Sequence, residues 1–379
     1  MKFYLVSLFS FIIIISTVNA QQVSISPVLN SGNESSIVHN GPGEDFSWIV
    51  EIQGDVLHLS NLELELDGFL SYDISPDNRH LAVLREKETF MVQIYNTQGI
   101  LVAQYTDVGL IDVADPSLKL FLLHNGSIVI RDNIAGFTLF TQTDLFVNRV
   151  SNTSGASDGE EMSRMAASPD GKRTVMYIPR FIESDGIGSQ INILDMSGRV
   201  FPLFKGRDRT IEDVVIGDDS DVIHIVFNTG SGKELYAVNE EGDVLSVMKS
   251  ELDDPDFTIQ PEFNTITWFQ GNQAQVYDMT SGERLALAFL RGENIVYAVY
   301  NPDDNVVVTL TGRRNNRQRT IQASAVRVVD ITDRVILGSD ALNTELSFTD
   351  DVLPGIQRLG ANRYRVTGVT NSFDIQLNR

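Results

Sequence analysis

The chain has 379 residues, 29 basic and 51 acidic, giving a net charge of −22, and 42% of it is hydrophobic. It contains no cysteine, which excludes a disulfide framework and any zinc site built on thiolates. The acidic balance repels phosphate backbones and anionic membrane surfaces, so nucleic acid is not an expected partner.

The first element is a leader. Met1-Lys2-Phe3 is followed by an uncharged run from Tyr4 to Ile15, and Val18-Asn19-Ala20 precedes Gln21-Gln22. A basic start, a short apolar run and a small-x-small end predict a signal peptide over residues 1–20, cleaved after Ala20. The run falls short of the roughly 20 apolar residues of a membrane anchor. No later stretch is apolar enough to span, and lipidation would need a cysteine after the leader. The mature chain is therefore expected to be exported and soluble, periplasmic or extracellular. Residues 21–45 read as an N-terminal extension and 46–379 as one domain.

The next signals are strands at Phe46–Ile52 and Asp55–Leu62. A repeat then begins. Ser75-Pro76-Asp77-Asn78, Ser168-Pro169-Asp170-Gly171 and Asn301-Pro302-Asp303-Asp304 each lie between two strand-like runs. Proline fixes φ and Asp, Asn and Gly suit the following positions, so these strings predict tight turns. A second landmark is an alternating strand ending in Asp or Asn, then a turn. Its instances end at Asn96, Asp195, Asn239, Asp278 and Asp330, with Ile128–Asp132 as a looser sixth. Together these give four-strand units near 71–107, 110–142, 164–206, 211–250, 256–290 and 294–340. Strands at Gly355–Gly360, Arg363–Val369 and Ser372–Asn378 follow without a fourth partner. The spare N-terminal strands would complete a seventh unit. The expected fold is all-β: a β-propeller of seven four-stranded blades, with six or eight as alternatives, closed by strands from both ends. Tandem β-sandwiches do not explain the four-strand period, and an open solenoid does not explain the spare strands.

Ile74-Ser75-Pro76-Asp77, Leu81-Ala82-Val83, Ile94-Tyr95-Asn96 and Val276-Tyr277-Asp278-Met279-Thr280-Ser281-Gly282 resemble blades of the WD40-like, YVTN and TolB-type bacterial propellers. The Trp-Asp and Gly-His pairs of WD40 repeats are absent. The resemblance implies a fold; its members include binding scaffolds, sensors and enzymes, so it does not select a function.

Strand parity selects a face. In a blade a-b-c-d, the a–b and c–d turns share one face and the b–c and d–a connections share the other. The long connections Thr143–Ser163, Pro179–Ser189, Gly312–Ala323 and Asp340–Pro354 all fall on the second face, which is expected to carry function. Arg313, Arg314, Arg317 and Arg319 crowd one of them on an acidic chain. They are the candidate binding residues, for an acidic partner or anion. The structural alternative is pairing with acids such as Asp158, Glu160 and Glu161.

Catalytic signatures are missing. His39, His58, His80, His124 and His224 have no metal-motif spacing. Gly230-Ser231-Gly232-Lys233 lacks the first glycine of a phosphate loop and has Glu234 where Ser or Thr belongs, so it reads as a b–c hairpin tip. Asp218-Asp219-Ser220-Asp221, Asp253-Asp254-Pro255-Asp256 and Asp303-Asp304-Asn305 lack calcium-loop spacing and read as turns. Trp48 and Trp268 are the only tryptophans, which weakens a sugar-stacking reading. No catalytic residue, metal or cofactor is expected. The leading reading is a binding or scaffold module for a protein, with a small molecule as the other ligand class. The alternative is a propeller hydrolase or lactonase with an axial site assembled from several blades.

Overall fold

The structure is a computed structural model. It describes residues 23–27, 36–40, 46–75, 77–106, 108–109, 111, 113–114, 118–123, 126–132, 136–140, 148–150, 164–168, 173–183, 186–194, 200–217, 221–315, 320–332, 336–347, 355–360, 363–367 and 372–377. The leader at 1–20 lies outside them. Among the described residues no helix is long and apolar enough to cross a membrane.

The described strands pair as eight antiparallel four-stranded sheets. The first strand is β1 (Val23–Pro27). Sheet 1 holds β2 (Ser36–Asn40), β3 (Ser47–Gln53), β4 (Val56–Leu59) and β5 (Leu64–Asp67). Sheet 2 holds β6 (Phe69–Ile74), β7 (His80–Glu86), β8 (Phe90–Asn96) and β9 (Leu101–Thr106). Sheet 3 holds β10 (Lys119–Leu122), β11 (Ile128–Asp132), β12 (Gly136–Phe140) and β13 (Asn148–Val150). Sheet 4 holds β14 (Arg164–Ala167), β15 (Thr174–Glu183), β16 (Gly186–Leu194) and β17 (Val200–Arg207). Sheet 5 holds β18 (Thr210–Ile216), β19 (Val222–Asn228), β20 (Lys233–Asn239) and β21 (Val244–Lys249). Sheet 6 holds β22 (Asp256–Gln260), β23 (Thr265–Gln270), β24 (Gln273–Asp278) and β25 (Arg284–Phe289). Sheet 7 holds β26 (Ile295–Asn301), β27 (Val306–Asn315), β28 (Thr320–Asp330) and β29 (Ile336–Ser347). Sheet 8 holds β30 (Gly355–Gly360), β31 (Arg363–Thr367) and β32 (Ser372–Leu377), with β1 as its fourth strand.

The second strand of each sheet explains the packing. Side chains alternate across a strand, so one strand serves two neighbours. In β7, Leu81 and Val83 pack on Trp48, Val50 and Leu57 of sheet 1. Ala82 and Leu84 pack on Leu120, Leu122 and Ile128 of sheet 3. In β19, Ile223, Ile225 and Phe227 meet Val175, Tyr177 and Ile191 of sheet 4, while Val226 meets Ile266 and Trp268 of sheet 6. Burial on both faces is why these strands read as continuous apolar runs rather than alternating ones. The face-to-face contacts are the glue between sheets, at roughly 25 cal/mol for each Å² of apolar surface removed from water.

The first strand of each sheet is the inner edge, and polar side chains tie it to the next. Ser71 Oγ accepts the Leu120 N–H at 3.1 Å, and Asp73 Oδ2 accepts that of Leu122 at 2.7 Å. Gln260 does the same between sheets 6 and 7: its Oε1 accepts the Tyr300 N–H at 2.8 Å, and its Nε2 donates to Tyr300 O at 2.9 Å. Turns tie in too. Trp48 Nε1 donates to Asn78 O, in the sheet 2 turn, at 3.0 Å. Trp268, equally buried, has no such partner for its Nε1 among the described residues.

Sheet 8 touches both of its neighbours. Ile356, Tyr364, Val366 and Ile375 share a core cluster with Val306, Val308 and Leu310 of sheet 7. Tyr364 Oη donates to Asp304 Oδ2 at 2.6 Å in the β26–β27 turn. On the other side, Arg365 Nη1 donates to Ser47 Oγ of sheet 1 at 3.1 Å. β1 pairs along the outer edge of β32, Val23 opposite Leu377 and Pro27 opposite Phe373.

Three details differ from expectation. Among the described residues there are eight sheets, the alternative to seven, because Phe46–Ile52 and Asp55–Leu62 belong to a sheet of their own. The strand that joins the C-terminal three is β1, and both β1 and β2 lie in the presumed extension 21–45. Each is five residues long, β1 with two serines and a proline and β2 with Ser, His and Asn, so neither carries the apolar run that marks a central strand. In sheet 3, Ile128–Asp132 is the second strand, not the third, and the fourth lies at 148–150. An Asp-ended hairpin signature marks a reversal of the chain, not which pair of strands it joins.

Candidate binding face

Antiparallel order puts every connection between second and third strands on one side, together with the links between sheets. Two hairpins overhang that side. β15 and β16 run 10 and 9 residues, and β27 and β28 run 10 and 11, followed by 12 in β29. Pro179–Ser189 and Gly312–Ala323, read as loops, are therefore largely paired strand. Ile182 stands opposite Ile187, and Asn315 opposite Thr320. Asp340 to Ser347 is strand as well, pairing with β28 as far as Thr320. Of Thr143–Ser163 only β13 is described.

The sheet 7 overhang is built in, not loose. Ile321 and Ala323 are buried in the cluster shared with sheet 8. The ladder is irregular between Thr311 and Gly312. A Cβ at Gly312 would lie 2.1 Å from Gln322 O, so only glycine lets the two strands approach there. The sheet 4 overhang ends on apolar side chains: Ile182 and Ile187 are both exposed. Behind them Lys205 Nζ sits 5.4 Å from the Phe181 ring centroid, a cation–π contact.

Arg313 and Arg314 lie on the overhanging part of β27, and both are exposed. Arg314 Nη1 reaches Asp256 Oδ1 of sheet 6 at 3.0 Å, a surface pair of modest energy. Arg317 and Arg319 lie outside the described residues, as do Asp158, Glu160 and Glu161.

A cavity of about 300 Å³ opens along the inner strands of sheets 1 to 3. Phe69, Leu70, Tyr72, Asp73, Leu118 and His39 line it. His39 Nε2 and Tyr72 Oη are 2.8 Å apart. Burial pulls the His39 pKa from 6.5 down to about 4, so the ring is neutral at pH 7. Asp73 spends one oxygen on the Leu122 amide, which makes it a tie between sheets. Sequence reasoning missed the His39–Tyr72 pair; 33 residues separate them, and only the docking of neighbouring inner strands joins them.

The other singled-out strings are structural where described. Thr229 to Gly232 is a tight hairpin closed by Thr229 N–H to Gly232 O at 3.0 Å. Asp304 anchors Tyr364, and Asp256 holds Arg314. Asp221 pairs with Arg173 at 2.5 Å. His58 lies 3.6 Å from Glu65. Asp218, Asp219, Ser220 and His124 lie outside the described residues.

No family model and no curated protein matches the sequence. Solved structures do. The Dos1 propeller superposes with a TM-score of 0.53 at 14% identity, over 94% of each chain. BamB from Moraxella catarrhalis follows with a TM-score of 0.50 at 12% identity, over 94% of this chain and 98% of that one. The chain has the β-propeller fold. At such identities the likeness is one of fold alone, and the propeller's function has to be argued from its own surface.

Proposed function

We propose that this propeller is an exported binding or scaffold module whose partner, a protein, engages the face carrying the two overhanging hairpins. The observation that carries the reading is the pair of overhangs, β15–β16 and β27–β28, on the same side. Ring stability needs only strands as long as their neighbours. The extra length places an apolar tip, Ile182 and Ile187, and a basic one, Arg313 and Arg314, beyond the sheets. The two tips rise from different sheets, and apolar anchors and guanidinium groups are both common at interface centres. Export is supported by the leader pattern of residues 1–20. Arg317 and Arg319 extend the same basic hairpin in sequence and are assigned to the same surface.

The test is capture from the envelope fraction with the mature chain as bait. A protein recovered by the wild type should be lost, or reduced at least tenfold, with Arg313→Glu combined with Arg314→Glu. Ile182→Asp should have a similar effect. Equal recovery by all three baits, with unchanged circular dichroism, would remove the reading.

A further inference from the structure

The outer strands are the open edges of the sheets. Soluble proteins usually blunt such edges with charge, proline or irregularity. β17 follows that habit, with Pro202 in its middle. β21 does not. The sequence of β21 is Val-Leu-Ser-Val-Met-Lys, among the described residues it pairs only with β20, and Val244, Leu245 and Val247 are 45%, 56% and 46% exposed. The neighbouring edges continue the apolar strip. Gly242, in the turn before β21, lies so close to β17 that a Cβ would be 2.3 Å from Leu203 O. On the flanking outer strands Phe201 of β17 and Leu285 and Phe289 of β25 are exposed as well.

The charges around β21 have a pattern of their own. Glu240, Glu241 and Asp243 immediately precede it, and Glu251, Asp253 and Asp254 immediately follow it; all six are exposed. Glu240 contacts Arg173 at 2.6 Å and Glu251 contacts Arg284 at 3.1 Å, so each end keeps two further acids. An edge of six residues, four of them apolar, is thus bracketed by acid at both ends.

We infer that the edge of β21 takes an extended partner segment as a fifth strand of sheet 5, apolar at alternate positions and basic at both ends. Backbone groups of an edge strand supply the hydrogen bonds, alternate side chains supply the apolar contact, and the acids fix register and exclude acidic segments. Six residues of strand span about 20 Å, which sets the spacing of the two basic ends. The site lies on the rim and is independent of the hairpin face.

The probe is a labelled ten-residue peptide, Lys-Arg-Val-Thr-Val-Ser-Val-Thr-Lys-Arg, titrated against the mature chain by fluorescence anisotropy. Saturable binding is expected, at least tenfold weaker when the four basic residues become Glu. Raising the salt concentration should weaken it. Val247→Arg should reduce affinity at least tenfold while thermal unfolding stays within a few degrees of wild type. Methylating alternate peptide amides should abolish binding in one register and spare it in the other. Absence of saturable binding, equal binding of the Glu-ended peptide, or unchanged affinity for Val247→Arg would overturn the inference.

Discussion

Deletion of residues 23–27 should lower the unfolding temperature of the mature chain by roughly 5 °C and drive part of it into aggregates. β1 supplies the fourth strand of sheet 8 and covers the outer edge of β32 over five residue pairs. An antiparallel pair of that length carries about five backbone hydrogen bonds, each worth about 1 kcal/mol net, so the loss is on the order of 4 kcal/mol. Each kcal/mol moves the midpoint of a chain of this size by roughly 1–2 °C. The exposed β32 edge then becomes a template for other chains. Sheet 8 also sits between sheet 7, through Tyr364 and Asp304, and sheet 1, through Arg365 and Ser47. We propose that it closes the sheets into a ring, so that damage to it is felt by the whole protein rather than locally. Calorimetry with size-exclusion chromatography measures both effects. An unchanged midpoint in the deleted chain would mean that the pairing of the two ends contributes nothing to the native state.

Replacing His224 with Leu should leave stability at pH 7 unchanged or raised, and should remove an acid-labile element. His224 is buried in β19, and neither ring nitrogen has a hydrogen-bond partner among the described residues. Burial lowers its pKa from 6.5 to about 4, with the Asp278 carboxylate pulling weakly the other way. Between those two values the unfolded chain takes up a proton that the native chain refuses. Stability is therefore lost as pH falls through that window. The full effect is on the order of 3 kcal/mol. Asp213 works in the opposite sense. Burial raises its pKa from 3.8 to about 6, so the native chain gains a proton first and stability rises as pH falls from 6 toward 3.8. The wild type should show the two effects partly cancelling. The Leu variant keeps only the second of them, so its advantage over wild type should grow by roughly 3 kcal/mol between pH 7 and pH 4. Denaturant titrations at the two pH values give that difference directly, and a constant difference would contradict the account.

The repeat was legible because propeller blades punctuate themselves. Asn301 to Asn305 and Asn239 to Gly242 are tight turns, and Asn305 and Gly242 adopt positive φ there. Between such turns the second strands carry unmistakable apolar runs, as in Val306 to Leu310. Five of the six units fall within a few residues of sheets 2 and 4 to 7, apart from the longer β29. The misses have a shared cause. β1, β2 and β13 are three to five residues long, and a short outer or inner strand has little apolar signature. The overhangs were misread as loops because a strand beyond the core needs no buried face, and Arg313 and Arg314 look like loop residues. The orphaned ring of His224 and the His39–Tyr72 pair left no local trace, because burial and neighbouring sheets create both.

Site-specific photo-crosslinking in the native envelope tests the central claim most directly. A crosslinking side chain would be placed at Ile187 and Arg313 on the hairpin face, and at Gln98 and Glu283 in the turns of the opposite face. The account predicts adducts to one protein from the first two positions and none from the second two. Adducts from Gln98 or Glu283 alone, or from all four positions alike, would contradict it.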